Sequence, residues 1–374
     1  MSFGNSYCLE NKYVGQTGAS LHRGRLFLPQ RLFCMPSLSP LFSTPLNVGP
    51  LSLPSPLVLA PMAGLGHVAY REVLGRFGGF GFMVTEMCNA RAVPQESRHH
   101  SPVFRWRDDE AAHLVCQIFG GEPAVMADAA RRIEGEGLMG VDINMGCSVA
   151  AICKKGYGAA LLKDPERAVA IVRAVRQAVR CPVMVKFRSG WENSADLAVD
   201  LARRFEDAGA DLLTFHPRIA PDRRSRPPRR EHIRAVACAV SIPVLGNGNA
   251  FCAEDCLSMM RETGCAGVSI GRMAIARPWI FAQLAHGFSP GEDIYLRTAL
   301  EMIDSIWKHF APERAIKMYK KYLPYLAANF VYGHSLWPEL ARGSTREEMT
   351  DNAVRVLGRM PQVAKTPNAF LFTS

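Results

Sequence analysis

The sequence lacks several features that would place it in a class at once. Its eleven cysteines include no CxxC pair and no Cys/His spacing of the metal-ligand kind. Neither a zinc site nor a disulfide framework is therefore expected, and a reducing cytoplasm is the expected compartment. Cys252 and Cys256 stand at i, i+4, a spacing better suited to one packed helix face than to a metal. No apolar run reaches the roughly 18 residues of a membrane span. The first 50 residues have almost no acid, Glu10 alone, and no lasting periodicity. That segment reads as a disordered extension, a targeting peptide or the product of an upstream start codon. A Gly-rich turn is missing too: "LAPMAGLG" (59–66) is a poor match to GxGxxG, which counts against a doubly wound sheet.

What is present suits a globular chain with one large and one smaller domain: 374 residues, 48% hydrophobic and 21% charged. The net charge of +10 calls for an anionic partner, and its distribution is uneven. Residues 218–234, "RIAPDRRSRPPRREHIR", hold seven arginines against Asp222 and Glu231, with three prolines that resist helix. Such a loop is either a solvated surface or a surface for a phosphate backbone.

From residue 57 a rhythm begins. Short, continuous apolar runs occur at 57–61, 81–86, 114–120, 140–144, 182–187, 211–216, 242–247 and 266–271. Runs of this kind are strands buried on both faces of a parallel sheet. Helices lie between them. "DPERAVAIVRAVRQAV" opens on Asp164 as N-cap and Pro165 at the first helical position. "DLAVDLARRFEDAG" and "EDCLSMMRETG" stop at Gly209 and Gly264. Eight strands alternating with helices predict a (β/α)8 barrel over 51–288. A small all-helical domain is expected over 289–374. Within it Leu296, Leu300, Ile303, Trp307 and Phe310 form a packing stripe, and Arg314, Lys317 and Lys321 recur on one face.

A barrel of this kind keeps its chemistry at the carboxyl ends of its strands. Those ends carry Pro61-Met62, Glu86, Gln117, Asn144, Lys186 with Arg188, His216, Asn247 and Gly271-Arg272. Lys186, Arg188 and His216 suit an anion, and the turns "LGNGNA" and "SIGRMA" suit a phosphate. Gln117 and Asn144 can read the polar edge of a flat heterocycle, with the polarizable Met62 against its ring. A phosphorylated planar cofactor meets all of these demands, FMN best.

The segments "LAPMAG", "VTEM", "VDINMGC", "KKGYGAALLKDPE", "PVMVKFRSGW", "FHPR", "VLGNGNA" and "SIGRMAIARPWIF" occur in the order seen in the dihydrouridine synthases. The chain resembles these flavin enzymes, which reduce uridine in RNA, over about 55–285 and more faintly to 330. The resemblance implies FMN held by Pro61, Met62, Gln117, Lys186, His216, Asn247, Gly248, Gly271 and Arg272. It implies a uridine-facing pair, Asn144 and Cys147, with Cys147 as proton donor, and Arg188 near substrate. It further implies NADPH as a transient reductant, without a motif of its own, and tRNA as the usual substrate, acted on by a soluble monomer. Lys154, Lys155, Arg218, Arg314, Lys317 and Lys321 are expected to meet RNA.

Two departures bear on the substrate side. Ser148 follows the reactive Cys where the family has Pro, and His216-Pro217-Arg218-Ile219 stands for a His-Gly-Arg-Thr run. A donor thiol must stay protonated near its ordinary pKa of about 8.5, so Lys154 and Lys155 are expected to point away from the sulfur. The competing reading is a small-molecule FMN oxidoreductase of the dihydropyrimidine or dihydroorotate type on the same barrel. The positive charge and the helical tail count against it.

Overall fold

The computed structural model describes residues 40–373 apart from 221 and 223–225. The expected extension lies outside the described residues as far as residue 39. Eight parallel strands form the barrel: β1 Leu57–Leu59, β2 Phe82–Val84, β3 Leu114–Phe119, β4 Gly140–Met145, β5 Val183–Arg188, β6 Leu212–His216, β7 Val244–Asn247 and β8 Gly267–Ile270. Each pairs with the next, and β8 returns to β1 with Val268 opposite Leu57, which closes the ring.

Strand periodicity then sorts the side chains. Val115, Met184, Leu212 and Leu245 pack together inside the barrel with Val58, Phe82 and Val84. Two residues further along the same strands, on the same face, come Gln117, Lys186, Thr214 and Asn247. On β4 the apolar Val141 and Ile143 join the outer core, beneath the helices, so Asp142 and Asn144 turn inward. The barrel interior is thus apolar at its amino end and polar at its carboxyl end. A hairpin, Leu46–Val48 paired with Leu51–Leu53, adds Leu46, Val48 and Leu53 to the inner apolar cluster. The boundary expected at residue 50 cuts this hairpin, whose short strands carry too little periodicity to be read from sequence.

The outer helices start and stop where their caps lie. In the helix Pro165–Ala178 the Asp164 side chain accepts from the Arg167 N–H at 3.2 Å. The helix Asp196–Asp207 stops before Gly209, whose φ is +96°. The helix Ala253–Thr263 ends at Gly264 in the left-handed region.

Beyond the barrel run the helices Ile294–His309, Pro312–Ala327, Gly333–Leu340 and Arg346–Leu357. The first buries Ile294, Ala299, Met302, Ile303 and Ile306, with Leu296, Leu300 and Trp307 half-buried at the margin. The expected stripe was displaced because this helix is wedged between Val68–Gly75 of the barrel and Arg346–Leu357, so two faces are covered. Glu72 joins the two regions, accepting from Ser305 Oγ at 2.7 Å and Lys308 Nζ at 2.7 Å. Arg71, fully buried in the same barrel helix, donates to Glu110 Oε1 and to the carbonyls of Gly66 and Arg105. No described helix is long and apolar enough to cross a membrane.

Candidate active site

The polar upper half of the barrel is a connected network. Gln117 Nε2 donates to Asp142 Oδ2 at 2.6 Å, and Asn144 Nδ2 donates to Gln117 Oε1 at 2.8 Å. Asn144 Oδ1 accepts from the Gly146 and Cys147 N–H groups at 3.2 and 2.9 Å. Across the mouth, Lys186 Nζ donates to Asn247 Oδ1 at 3.0 Å and Asn247 Nδ2 to the Ser269 carbonyl at 2.7 Å. Burial pushes the Lys186 ammonium below its ordinary pKa, and neighbouring Asp142 opposes that shift.

Beside this network lies a cavity of about 180 Å3 lined by Pro61, Met62, Lys186, His216, Arg218, Asn247, Gly248, Gly271 and Arg272, among others. Its ionisable lining is cationic or imidazole, without a carboxylate. Arg218 and Arg272 both donate to Asn249 Oδ1 at 3.0 Å, and Arg218 also donates to His216 Nε2 at 3.0 Å. Burial lowers the His216 pKa well below its usual value, with Lys186, Arg188, Arg218 and Arg272 adding to the effect. The ring is therefore neutral and accepts from Arg218.

Two glycines keep the wall thin. Gly248 has φ +118°, and a Cβ there would stand 3.1 Å from the His216 ring. A Cβ on Gly271 would meet Met62 Sδ at 3.0 Å. The helix after β8, Arg272–Ala276, has five residues, so side-chain charge and bare backbone, more than a helix dipole, make this pocket fit for a phosphate.

The loop that carries Cys147 follows β4. Cys147 is half-buried, and burial raises its thiol above the ordinary pKa while the Arg188 charge pulls it down. Lys154 and Lys155 are exposed on the next turn. The Cys147 carbonyl accepts from the Ala159 N–H at 2.8 Å. Trp191 Nε1 donates to the Ala159 carbonyl at 3.2 Å, tying the β5 loop to the same segment. Arg188 is half-buried and donates to the Ile219 carbonyl at 3.1 Å.

A larger cavity, about 670 Å3, opens between the first two strand ends and the helix Pro312–Ala327. Ala63, Gly64, Glu86 and Met87 line it from the barrel, and Arg314, Met318, Lys317 and Lys321 from the helix. Lys321 Nζ donates to the Ala63 carbonyl at 3.0 Å. The Glu86 carboxylate accepts from the Gly64 N–H, and burial raises its pKa.

Three expectations are altered. Arg218, expected to face RNA, is 3% exposed and lines the cationic pocket. Among the described arginines of the arginine-rich stretch, Arg226 and Arg229 pair with Asp222, and Arg230, already in the helix Arg230–Ala237, pairs with Glu262. Arg223 and Arg224 lie outside the described residues. The Asn144 and Gln117 amides, expected to read a heterocycle, are engaged with each other, with Asp142 and with the Cys147 loop. Reading the strand ends missed Asp142 and Asn249. Asp142 carried a signal, since it lies two residues before Asn144 and so shares its face.

A family profile described as "Dihydrouridine synthase (Dus)" matches residues 58–357. The chain belongs to the dihydrouridine synthase family. Among curated relatives, tRNA-dihydrouridine synthase B of Pseudomonas aeruginosa is 36% identical over 265 residues, covering 71% of this chain and 79% of its own. A probable tRNA-dihydrouridine synthase of Mycobacterium tuberculosis is 34% identical over 340 residues, covering 85% and 86%. Probable tRNA-dihydrouridine synthase 1 of Synechocystis is 31% identical over 320 residues, covering 83% and 89%. The barrel is also seen in solved structures at low identity. A 2-naphthoyl-CoA reductase complex is 12% identical with TM-score 0.52, over 68% of this chain and about half (53%) of that one. TcOYE with pHBA is 12% identical with TM-score 0.51, over 69% and 96%.

Proposed function

We propose that this chain reduces uridines of tRNA to 5,6-dihydrouridine, with FMN seated at the barrel mouth and NADPH as electron source. The observation that carries this reading is the convergence, at one mouth, of a cationic pocket with no carboxylate among its described lining and a half-buried thiol. The names of the curated relatives support the substrate.

The residues present fit the cofactor. Arg218, Arg272, Lys186 and the bare backbone of Gly248 and Gly271 suit its phosphate-bearing end. Pro61, Met62 and Asn247 stand beside them. Gln117 reaches this region through the hydrogen-bond network, with Asn144 as its partner. When bound and reduced, FMN supplies the hydride that adds to C6 of uracil.

The protein supplies the proton. Cys147 gives its thiol proton to C5 and regains one from solvent, so uridine, NADPH and a proton become dihydrouridine and NADP+. Burial keeps the thiol protonated at neutral pH. Arg188, the nearby cation acting on the sulfur, stabilises the thiolate left after transfer.

A stacked uridine must be extruded to reach such a site, and the RNA backbone must supply the affinity. The helical region from 289 onward serves as the RNA-binding domain, with Arg314, Lys317 and Lys321 beside the large cavity and Lys154 and Lys155 beyond the Cys147 loop. The test is to map dihydrouridine in RNA from cells with and without the chain, together with turnover of the purified yellow protein. Loss of dihydrouridine at defined tRNA positions is expected. Reduction of free uracil or orotate with no effect on RNA would overturn the reading.

A further inference from the structure

A carboxylate in the barrel's polar layer has no part in the reaction above. Asp142 faces inward on β4, in register with Gln117 of β3, and is 3% exposed. Burial raises its pKa, opposed by the Gln117 amide and by Lys186. Its Oδ2 accepts from Gln117, while its Oδ1 is buried with no partner among the described residues. An unpaired buried polar atom is costly, so an apolar residue would serve packing better. A carboxylate differs from an amide in one respect that matters here: ionised, it accepts hydrogen bonds and never donates.

That one-way character has consequences down the chain of contacts. Because Asp142 accepts, Gln117 must turn its NH2 toward it and its Oε1 the other way. Asn144 must then present Nδ2 to Gln117, which leaves Asn144 Oδ1 facing the backbone after β4. There Oδ1 accepts from the N–H of Cys147 itself. Two amides, each free to flip in isolation, are held in one direction by the acid at one end and the Gly146 and Cys147 N–H groups at the other.

We propose that Asp142 is a positioning residue that orders this relay and so seats the Cys147 loop for proton delivery. The inference rests on the uridine-reduction reading and adds to it a residue that does not line the cationic pocket.

Asp142→Asn tests it, because an amide of the same shape can turn over and let the relay reverse. Single-turnover reduction of tRNA by pre-reduced holoenzyme is expected to slow about ten- to a hundredfold, as for a misplaced reacting group. Flavin content and the rate of flavin reduction by NADPH are expected to stay at wild-type values. Alkylation of Cys147 by iodoacetamide is expected to quicken as its loop loosens. Asp142→Asn combined with Asn144→Ala is expected to be no slower than Asn144→Ala alone, since both act through one link.

Wild-type turnover in Asp142→Asn, additive losses in the double variant, or a parallel fall in flavin reduction would each overturn the proposal. Should Asp142→Asn fail to fold, Gln117→Leu breaks the relay one step on, and unchanged Cys147 alkylation there would overturn it as well. If the wild-type protein reduces no uridine, the function reading fails by itself, and the alkylation comparison still decides the relay.

Discussion

Arg218 offers a sharp test of what the cationic pocket holds. The guanidinium donates to His216 Nε2 and Asn249 Oδ1 at 3.0 Å and to the Arg226 carbonyl at 2.8 Å. Burial, then the charges of Arg272 and Arg188, bring its pKa down to about 10. Two guanidiniums drawn to one amide oxygen repel each other, and a phosphate dianion between them would turn that repulsion into two charge-assisted contacts. Arg218→Met keeps the length and removes the charge. One such contact is worth about 1.5–3 kcal/mol, so the FMN Kd is expected to rise between about tenfold and a hundredfold. Riboflavin has the same ring system and no phosphate, so its Kd is expected to stay within about twofold of wild type. Fluorescence quenching of each flavin on titration with apoprotein gives both constants. Equal weakening of FMN and riboflavin would refute the reasoning, because Arg218 would then be scaffold. Unchanged FMN affinity with weakened tRNA binding would return Arg218 to the RNA-facing role that the sequence alone suggested.

Other consequences can be checked separately. Cys147→Ala is expected to keep its yellow colour and its tRNA affinity while single-turnover reduction falls about 10²–10⁴-fold, the usual worth of a general acid; unimpaired turnover would remove Cys147 from the proton path. Burial raises the folded pKa of the thiol, and the donor is the protonated form. Turnover should therefore hold level through neutral pH and decline only as pH rises through a pKa above the ordinary value, and a decline setting in below pH about 7 would contradict this. Lys317→Ala should weaken tRNA binding and lower its salt dependence by roughly one counterion with FMN affinity unchanged; binding that keeps its full salt slope would clear that helix face of phosphate contact. Arg71→Met leaves buried Glu110 without its bidentate partner and should cost about 3–5 kcal/mol by urea unfolding, whereas a loss under about 1 kcal/mol would show that Arg107, whose Nη1 lies 3.3 Å from Glu110 Oε2, suffices.

The barrel was legible because its signals are local and repeated. Each strand is a short apolar run that must be buried on both faces, and helices such as Pro165–Ala178 announce their start with an acid and a proline. Period-two alternation goes further than counting strands. Once Val115, Met184, Leu212 and Leu245 are taken as inward, the residues two places on are inward as well, and Gln117, Lys186 and Asn247 follow. The hairpin at 46–53 gave no such signal, since exposed Asn47 and Ser52 at the centres of its strands break any continuous apolar run.

What sequence could not resolve was which polar groups face one another and which face solvent. The arginine-rich stretch has the composition of a phosphate-binding surface, yet the fold brings Asp222 back onto Arg226 and Arg229 and buries Arg218. Counting charge along a chain cannot distinguish a guanidinium that meets RNA from one that meets its own loop, because the counter-charge is supplied by the turn. The same holds inside the barrel. Asn144 and Gln117 have the right chemistry to read a base, but parallel strands place them in lateral register with an acid, and an acid within 2.6 Å dictates how an amide must lie. A pair that looked like two independent readers is one directed relay ending on the Cys147 backbone. Residue type therefore marked the candidate site, while hydrogen-bond direction, which the neighbouring strand sets, decides how its amides lie.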